Sequence, residues 1–174
     1  MMTAVRSEVG TGPSAALADL HREHYRSLVK LASMLIDDRA TCEEVVQDAF
    51  VSVFRSSARV RDASKLPAYL RSAVLNGARS HLRKRQARSN LRVVPSSGDY
   101  PSAESSAVVA DDQRAVIAAL RLLPDRQRDV LVLRFYLDLS ESEIADTLGI
   151  SGGTVKTHVR RGLDALAREL EGRR

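Results

Sequence analysis

The sequence predicts an all-α protein built as two small helical domains, and three observations carry that reading. Apolar residues recur at intervals of three and four along most of the chain, the spacing that gathers them on one face of a helix. No strand-like alternation, internal repeat or glycine-rich phosphate loop interrupts that pattern. Past the middle of the chain, a polar stretch reading VVPSSGDYPSAESS separates an N-terminal bundle of three to four helices from a C-terminal group of four. The expected division is a domain over residues 14–90, a flexible linker over 91–110 and a second domain over 111–172.

Residues before Pro13 are small and polar without periodicity, the composition of a disordered start. Leu17, Leu20, His24, Leu28, Leu31 and Leu35 then form one stripe, predicting a helix from about Ser14 to Leu35 that ends at Asp37 and Asp38. A second helix is expected over Ala40 to Ser56, with Val46, Ala49, Phe50 and Val53 inward. Its other side carries Glu43, Glu44, Gln47 and Asp48, a run whose commonest fate is a solvated face. After a loop over about Ser57 to Lys65, a third helix should run from Leu66 to about Arg88, with Pro67 suited to its first turn. Leu66, Tyr69, Leu70, Ala73, Val74, Ala78 and Leu82 are its expected buried side, and it grows more basic towards its end. Beyond the linker, helices are expected from Asp111 to Leu123 and, past the break at Pro124, from Arg126 to Leu137. Val116, Leu120 and Leu123 face inward on the one, and Val130, Leu133 and Leu137 on the other.

The C-terminal stretch SESEIADTLGISGGTVKTHVRRGLDALAREL is the most informative. Ser140 and Glu143 form a capping box for a short helix, Gly149 supplies the left-handed residue that turns the chain, and Ser151 caps a longer helix. Val155, Val159, Leu163, Leu166 and Leu170 give that helix one apolar stripe, while Lys156, Thr157, Arg160 and Arg161 lie opposite. Two helices joined by a short glycine-containing turn, the second basic outside and apolar inside, have the form of a DNA-binding helix-turn-helix. A plain helical hairpin with a solvated basic face fits the same residues.

Composition narrows the function classes. Basic side chains number 27 against 22 acidic, a net charge of +5, and they are segregated. One basic block holds Arg79, Arg83, Lys84, Arg85, Arg88 and Arg92, another Lys156, Arg160, Arg161 and Arg168, and an acidic one Asp37, Asp38, Glu43, Glu44 and Asp48. Two basic surfaces and one acidic surface suit a nucleic-acid binder that also docks on a basic protein. No apolar run approaches a membrane span and the first residues lack the apolar centre of a secretory signal, so the cytoplasm is the expected compartment. The single cysteine, Cys42, excludes an internal disulfide and any multi-cysteine metal site. His21 and His24 lack the further ligands a metal needs, His81 and His158 stand alone in basic surroundings, and no serine sits in a nucleophile elbow. No catalytic residue, metal or cofactor is expected.

Taken together, the segments resemble the bacterial RNA polymerase sigma factors of the small, two-domain extracytoplasmic-function group, over about Leu17 to Leu170. DRATCEEVVQDAFVSVF is similar to the segment that binds the clamp helices of the largest polymerase subunit, AYLRSAVLNGARSHLRKR to the segment that opens and reads the minus-ten element, and LPDRQRDVLVLRFYLDLSESEIADTLGISGGTVKTHVRRGLDAL to the domain that reads the minus-thirty-five element. The resemblance implies core RNA polymerase and promoter DNA as partners, and brings an anti-sigma factor among the candidates. It places Glu44, Gln47, Asp48 and Phe50 against polymerase, with Glu43 on the same acidic face, and Lys156, Thr157 and Arg161 against the upstream duplex with Arg160 in reach of phosphate, while His158, in its basic surroundings, is either DNA-facing or merely exposed. Asn76 would hold a flipped base, Arg79, Arg83 and Lys84 would bind phosphate, and Phe135, Tyr136 and Leu137 would include contacts to the polymerase flap. Relatives usually carry Trp where this chain has Tyr69, and often Pro where it has Gly152. The competing reading is a helix-turn-helix regulator that binds operator DNA without polymerase. The linker implies that the two domains sit apart on one long partner.

Overall fold

The computed structural model describes residues 13–57, 62–89 and 107–172, which contain helices and no strand. Side chains are described within 18–56, 62–88 and 112–172, so the expected disordered start, most of the linker and Leu17's place in its stripe lie outside. The helices are α1 (Pro13–Ser33), α2 (Arg39–Ser57), α3 (Leu66–Ser89), α4 (Ala107–Leu122), α5 (Asp125–Leu131), α6 (Glu141–Leu148) and α7 (Gly152–Glu171). Helix α4 thus begins before Asp111, inside the span expected for the linker.

Helices α1, α2 and α3 pack together around Leu28, Leu31, Leu35, Val46, Phe50, Leu70 and Val74, all nearly free of solvent. Asp38 serves α2 rather than only ending α1: its Oδ2 accepts from the Thr41 backbone N–H at 2.8 Å, which satisfies one orphan donor of the new helix. These bonds hold the Asp38 carboxyl below its ordinary range, the Thr41 hydroxyl first. Part of the expected loop before α3 is a 3₁₀ turn, Ala63–Lys65, capped by the Asp62 carboxylate.

Four expectations fail on particular residues, the first at Val116 of α4, expected inward with Leu120 and Leu123 but 38% exposed. Tyr69 is half exposed, because Leu70 and Val74 take the core face of α3 and the phenol stays at the rim. Beyond Leu131 the α geometry gives way to a π turn, Val132–Tyr136, in which the Leu137 N–H reaches back to the Val132 carbonyl at 3.2 Å. Val132 and Leu133 remain buried through it, while Phe135 is 64% and Tyr136 42% exposed. Leu163 is also exposed, because the close approach of α7 to α5 is made by Gly162. A Cβ at Gly162 would lie 3.1 Å from Leu131 Cδ1 and 3.3 Å from the Gln127 carbonyl oxygen.

Cys42 lies in the core with its Sγ 3.7 Å from the Ile36 carbonyl, and burial pushes its thiol from 9.0 up to about 11. A maleimide at neutral pH should therefore leave Cys42 of the folded chain unmodified and label it promptly in denaturant. Prompt labelling of the folded chain would contradict this packing. The unfolded thiol ionises first, so the native state loses stability as pH rises from about 9 to about 11 and keeps this contribution intact below that window.

The two helical groups are not held apart. Apolar residues from both belong to one continuous core cluster, α3 packs on α6, and α1 meets the π turn. Arg121 of α4 donates to the carbonyls of Ser33 and Ile36 at 3.0 and 3.2 Å and to Met34 at 3.3 Å, where α1 ends with unpaired acceptors. It also pairs with Asp37. Burial, with Arg128 nearby, pushes Arg121 down to about 10.

Candidate nucleic-acid interface

The α6–turn–α7 unit forms as its capping residues dictate. Ser140 Oγ accepts from the Glu143 N–H, and Glu143 Oε2 accepts from the Ser140 N–H at 2.8 Å. Gly149 sits at φ 63, and Ser151 Oγ accepts from the Thr154 N–H at 3.2 Å. Ile144 and Val155 are buried between the helices, which fixes the angle at which α7 leaves the turn. On its outer face Arg160 and Arg161 are exposed and form no ion pair among the described residues. Lys156 is also exposed, with Nζ 3.6 Å from Glu141 Oε2. Thr157 donates its hydroxyl to the Gly153 carbonyl at 3.0 Å, which commits that oxygen to the backbone and leaves the methyl as its distinctive contact. His158 is placed differently from these four. It is half-buried, with Nδ1 enclosed and without a hydrogen-bond partner among the described residues, so it faces the helical packing.

A second site lies between α2 and α3, a groove of about 940 Å³. Glu44 and Asp48 line it from α2, and Tyr69, Asn76, His81 and Lys84 from α3. Its two walls differ in charge, so a polyanion would favour the α3 wall and a basic surface the α2 wall. Glu44, Gln47 and Asp48 are exposed. Glu43 is partly enclosed and accepts from Arg39 Nε at 2.9 Å. Phe50 is only 6% exposed and meets the His21 ring at 4.8 Å, so it positions α2 from within and offers no surface to a partner. On α3, Asn76 is exposed and accepts from Arg79 Nη1 at 3.0 Å, while Arg83 and Lys84 project freely. Arg79 is turned towards the second helical group, where it pairs with Asp129.

A third surface is apolar, a groove of about 620 Å³ where Val116, Phe135, Tyr136 and Leu163 meet. Phe135 and Tyr136 are the exposed members of the expected flap contact, and Leu137 is half-buried. Burial raises the Tyr136 hydroxyl above its ordinary range. Among the described residues no group of acidic, histidine or cysteine side chains could hold a metal, and no helix is long and apolar enough to cross a membrane. Sequence reasoning missed Arg121 and Asp129. The only signal was a charge within an apolar run, LRLLP for the first and RDVLVL for the second.

Comparison with known proteins accounts for this set of surfaces. Residues 20–88 match the model of sigma-70 region 2, and residues 113–166 that of sigma-70 region 4. The RNA polymerase sigma-E factor of Streptomyces avermitilis is 31% identical over 87% of this chain and 83% of its own. The ECF RNA polymerase sigma factor SigM of Mycobacterium tuberculosis is 32% identical over 91% of this chain and 79% of its own. The sigma factor RpoE of Bartonella quintana, solved with the anti-sigma factor NepR, superposes with a TM-score of 0.69 at 25% identity, covering 90% of this chain and 99% of that one. CnrH, solved with the cytosolic domain of CnrY, shares the fold with a TM-score of 0.71 at 23% identity, over 93% of this chain and 92% of its own. With two sigma-70 regions in the family's order and relatives at this identity over most of their length, the chain belongs to the extracytoplasmic-function group of the sigma-70 family of RNA polymerase sigma factors.

Proposed function

We propose that this sigma factor binds core RNA polymerase through the outer face of α2 and reads two promoter elements with separate helices, one module over residues 14–90 and the other over 111–172. Glu44, Gln47 and Asp48 form the polymerase contact, with complementary charge steering the encounter and fixing its register. Asn76 takes an unstacked base of the melted minus-ten strand through its amide, and Arg83 and Lys84 follow the phosphates. Lys156, Thr157 and Arg161 reach the edges of the minus-thirty-five duplex in the major groove, with Arg160 on phosphate. The apolar groove at Phe135 and Tyr136 suits a nonpolar segment of the polymerase flap, and an anti-sigma factor that covered it would compete. The chain contributes contacts rather than reaction chemistry, and it works where polymerase does, in the cytoplasm.

The supporting observation is the presence, in one chain, of an exposed acidic helix face beside a groove and a capped helix-turn-helix with an exposed cationic face. Transcription from a promoter library by core polymerase, with and without the chain, tests the reading. Arg161→Ala should lower output from promoters that need the upstream element by roughly tenfold while polymerase binding is unchanged. Loss of both would make the helix structural. Sequence-specific DNA binding with no polymerase association would point to an operator-binding regulator instead.

A further inference from the structure

Between the second half of α3, the turn that joins α4 to α5 and the residues after α1 lies a cavity of about 640 Å³ whose charges do not balance. Arg79, Arg83, Arg85, Arg121 and Arg128 line it, and the carboxylates in its lining are those of Asp37 and Asp125. Both are already engaged, Asp125 with Arg128 at 2.7 Å and Asp37 with Arg121 and, at 3.5 Å, with Arg85. Asp129 adds a third carboxylate from behind, paired with Arg79. Three carboxylates thus answer five guanidinium groups, and Arg83 has no ion pair among the described residues. Two of the cations are also enclosed. The Arg128 side chain is 5% and that of Arg79 14% exposed, and the Nε of each has no hydrogen-bond partner among the described residues. Burial pushes the Arg79 guanidinium below its ordinary range, with repulsion from Arg126, Arg128 and Arg83 in the same direction and Asp125 opposing.

A guanidinium group keeps its proton at any physiological pH, so a surplus of them in one cavity is relieved by an anion and not by deprotonation. Enclosed N–H donors without partners favour a ligand with many acceptor oxygens over chloride or a single water. Size narrows the class further. A cavity of this volume takes a ligand of nucleotide size, whereas one orthophosphate would fill a corner of it and meet few of the arginines. Part of the lining is apolar: Leu122, 60% exposed, and Pro124 stand beside the arginines. We propose that this cavity binds a small oligophosphate, with Arg79, Arg83 and Arg128 holding its oxygens and Leu122 and Pro124 forming its apolar rim. An inorganic oligophosphate and the phosphate chain of a nucleoside di- or triphosphate share that chemistry. Of these residues only Arg83 also belongs to the proposed promoter contacts.

Calorimetric titration of the full chain with tripolyphosphate, at an ionic strength of about 0.15 M, tests the site. One saturable site is expected, and at about a hundredfold excess over Kd the ligand should raise the melting temperature by roughly 5 °C. Arg83→Gln, at an exposed position, should weaken binding by at least about tenfold. Leu122→Asp sets a carboxylate at the rim, touches no proposed contact with DNA or polymerase, and should weaken binding by about tenfold as well. Arg168→Gln, in the last turn of α7 and outside the cavity, should leave the affinity unchanged. ATP titrated in parallel separates the two sources: tighter binding than tripolyphosphate assigns the site to nucleotides, equal or weaker binding assigns it to the inorganic chain, and either supports the cavity. Absence of saturable binding by both ligands overturns the proposal. So does unchanged affinity in Arg83→Gln or in Leu122→Asp, which would put the anion elsewhere. An equal loss in the Arg83 and Arg168 variants also overturns it, since that is diffuse attraction to basic surfaces.

Discussion

Reversing Glu44 and Asp48 to lysine together is expected to weaken binding to core RNA polymerase by about 3 kcal/mol, roughly two orders of magnitude in Kd. The two carboxylates are exposed one helical turn apart on α2 and both line the α2–α3 groove, so a complementary surface would meet them together. Reversal removes two attractions and creates two repulsions. Slower association should account for much of the loss, and raising the salt should narrow the difference. The inward residues Val46, Ala49, Phe50 and Val53 are untouched, so the melting temperature should stay near that of the parent. Competition binding against labelled parent chain measures the effect. Unchanged affinity would move the polymerase contact away from this face.

Gly162→Leu is expected to destabilise the fold by about 2 kcal/mol, because a side chain must enter a helix crossing that has no room for one. Its Cβ alone would stand 3.1 Å from Leu131 and 3.3 Å from a backbone oxygen, which cannot swing aside as a side-chain terminus can. Thermal unfolding should show a drop of roughly 5 °C. Gly153→Ala is the control: nothing lies within 4 Å of its added Cβ, and replacing a helical glycine should leave stability equal or raise it by about 0.5 kcal/mol. Equal melting temperatures for the Gly162 variant and its parent would mean that α5 and α7 do not cross so closely.

Local rules made much of this molecule legible. The capping box at Ser140, the left-handed Gly149 and the Ser151 cap all formed as their residue types require, because each depends on atoms within a few positions of chain. The apolar stripes of α2 and, from Leu20 onward, of α1 were equally readable. Periodicity misled where a neighbouring helix set the contact. Leu163 continued an ideal stripe, yet the crossing with α5 selected Gly162 and left the leucine in an open apolar groove. Tyr69, expected on the buried side of α3, stands at a rim, whereas Phe50 lies in the core as its stripe predicts. The π turn escaped because an extra backbone residue leaves little mark on spacing over so short a run.

What the sequence determined alone was therefore the helical class, the turn chemistry of the helix-turn-helix and the segregation of charge, since these follow from interactions between near neighbours in the chain. Tertiary structure decided which charges stay available. Arg79, Arg83 and Lys84 read alike along one basic helix, but only the first meets a carboxylate from fifty residues away. Asp129 and Arg121 act across a seam between distant segments, and no pattern within either segment encodes their partners. The physical reason is that a long-range ion pair depends on how two helical groups dock, and docking is set by the shapes and charges of whole faces.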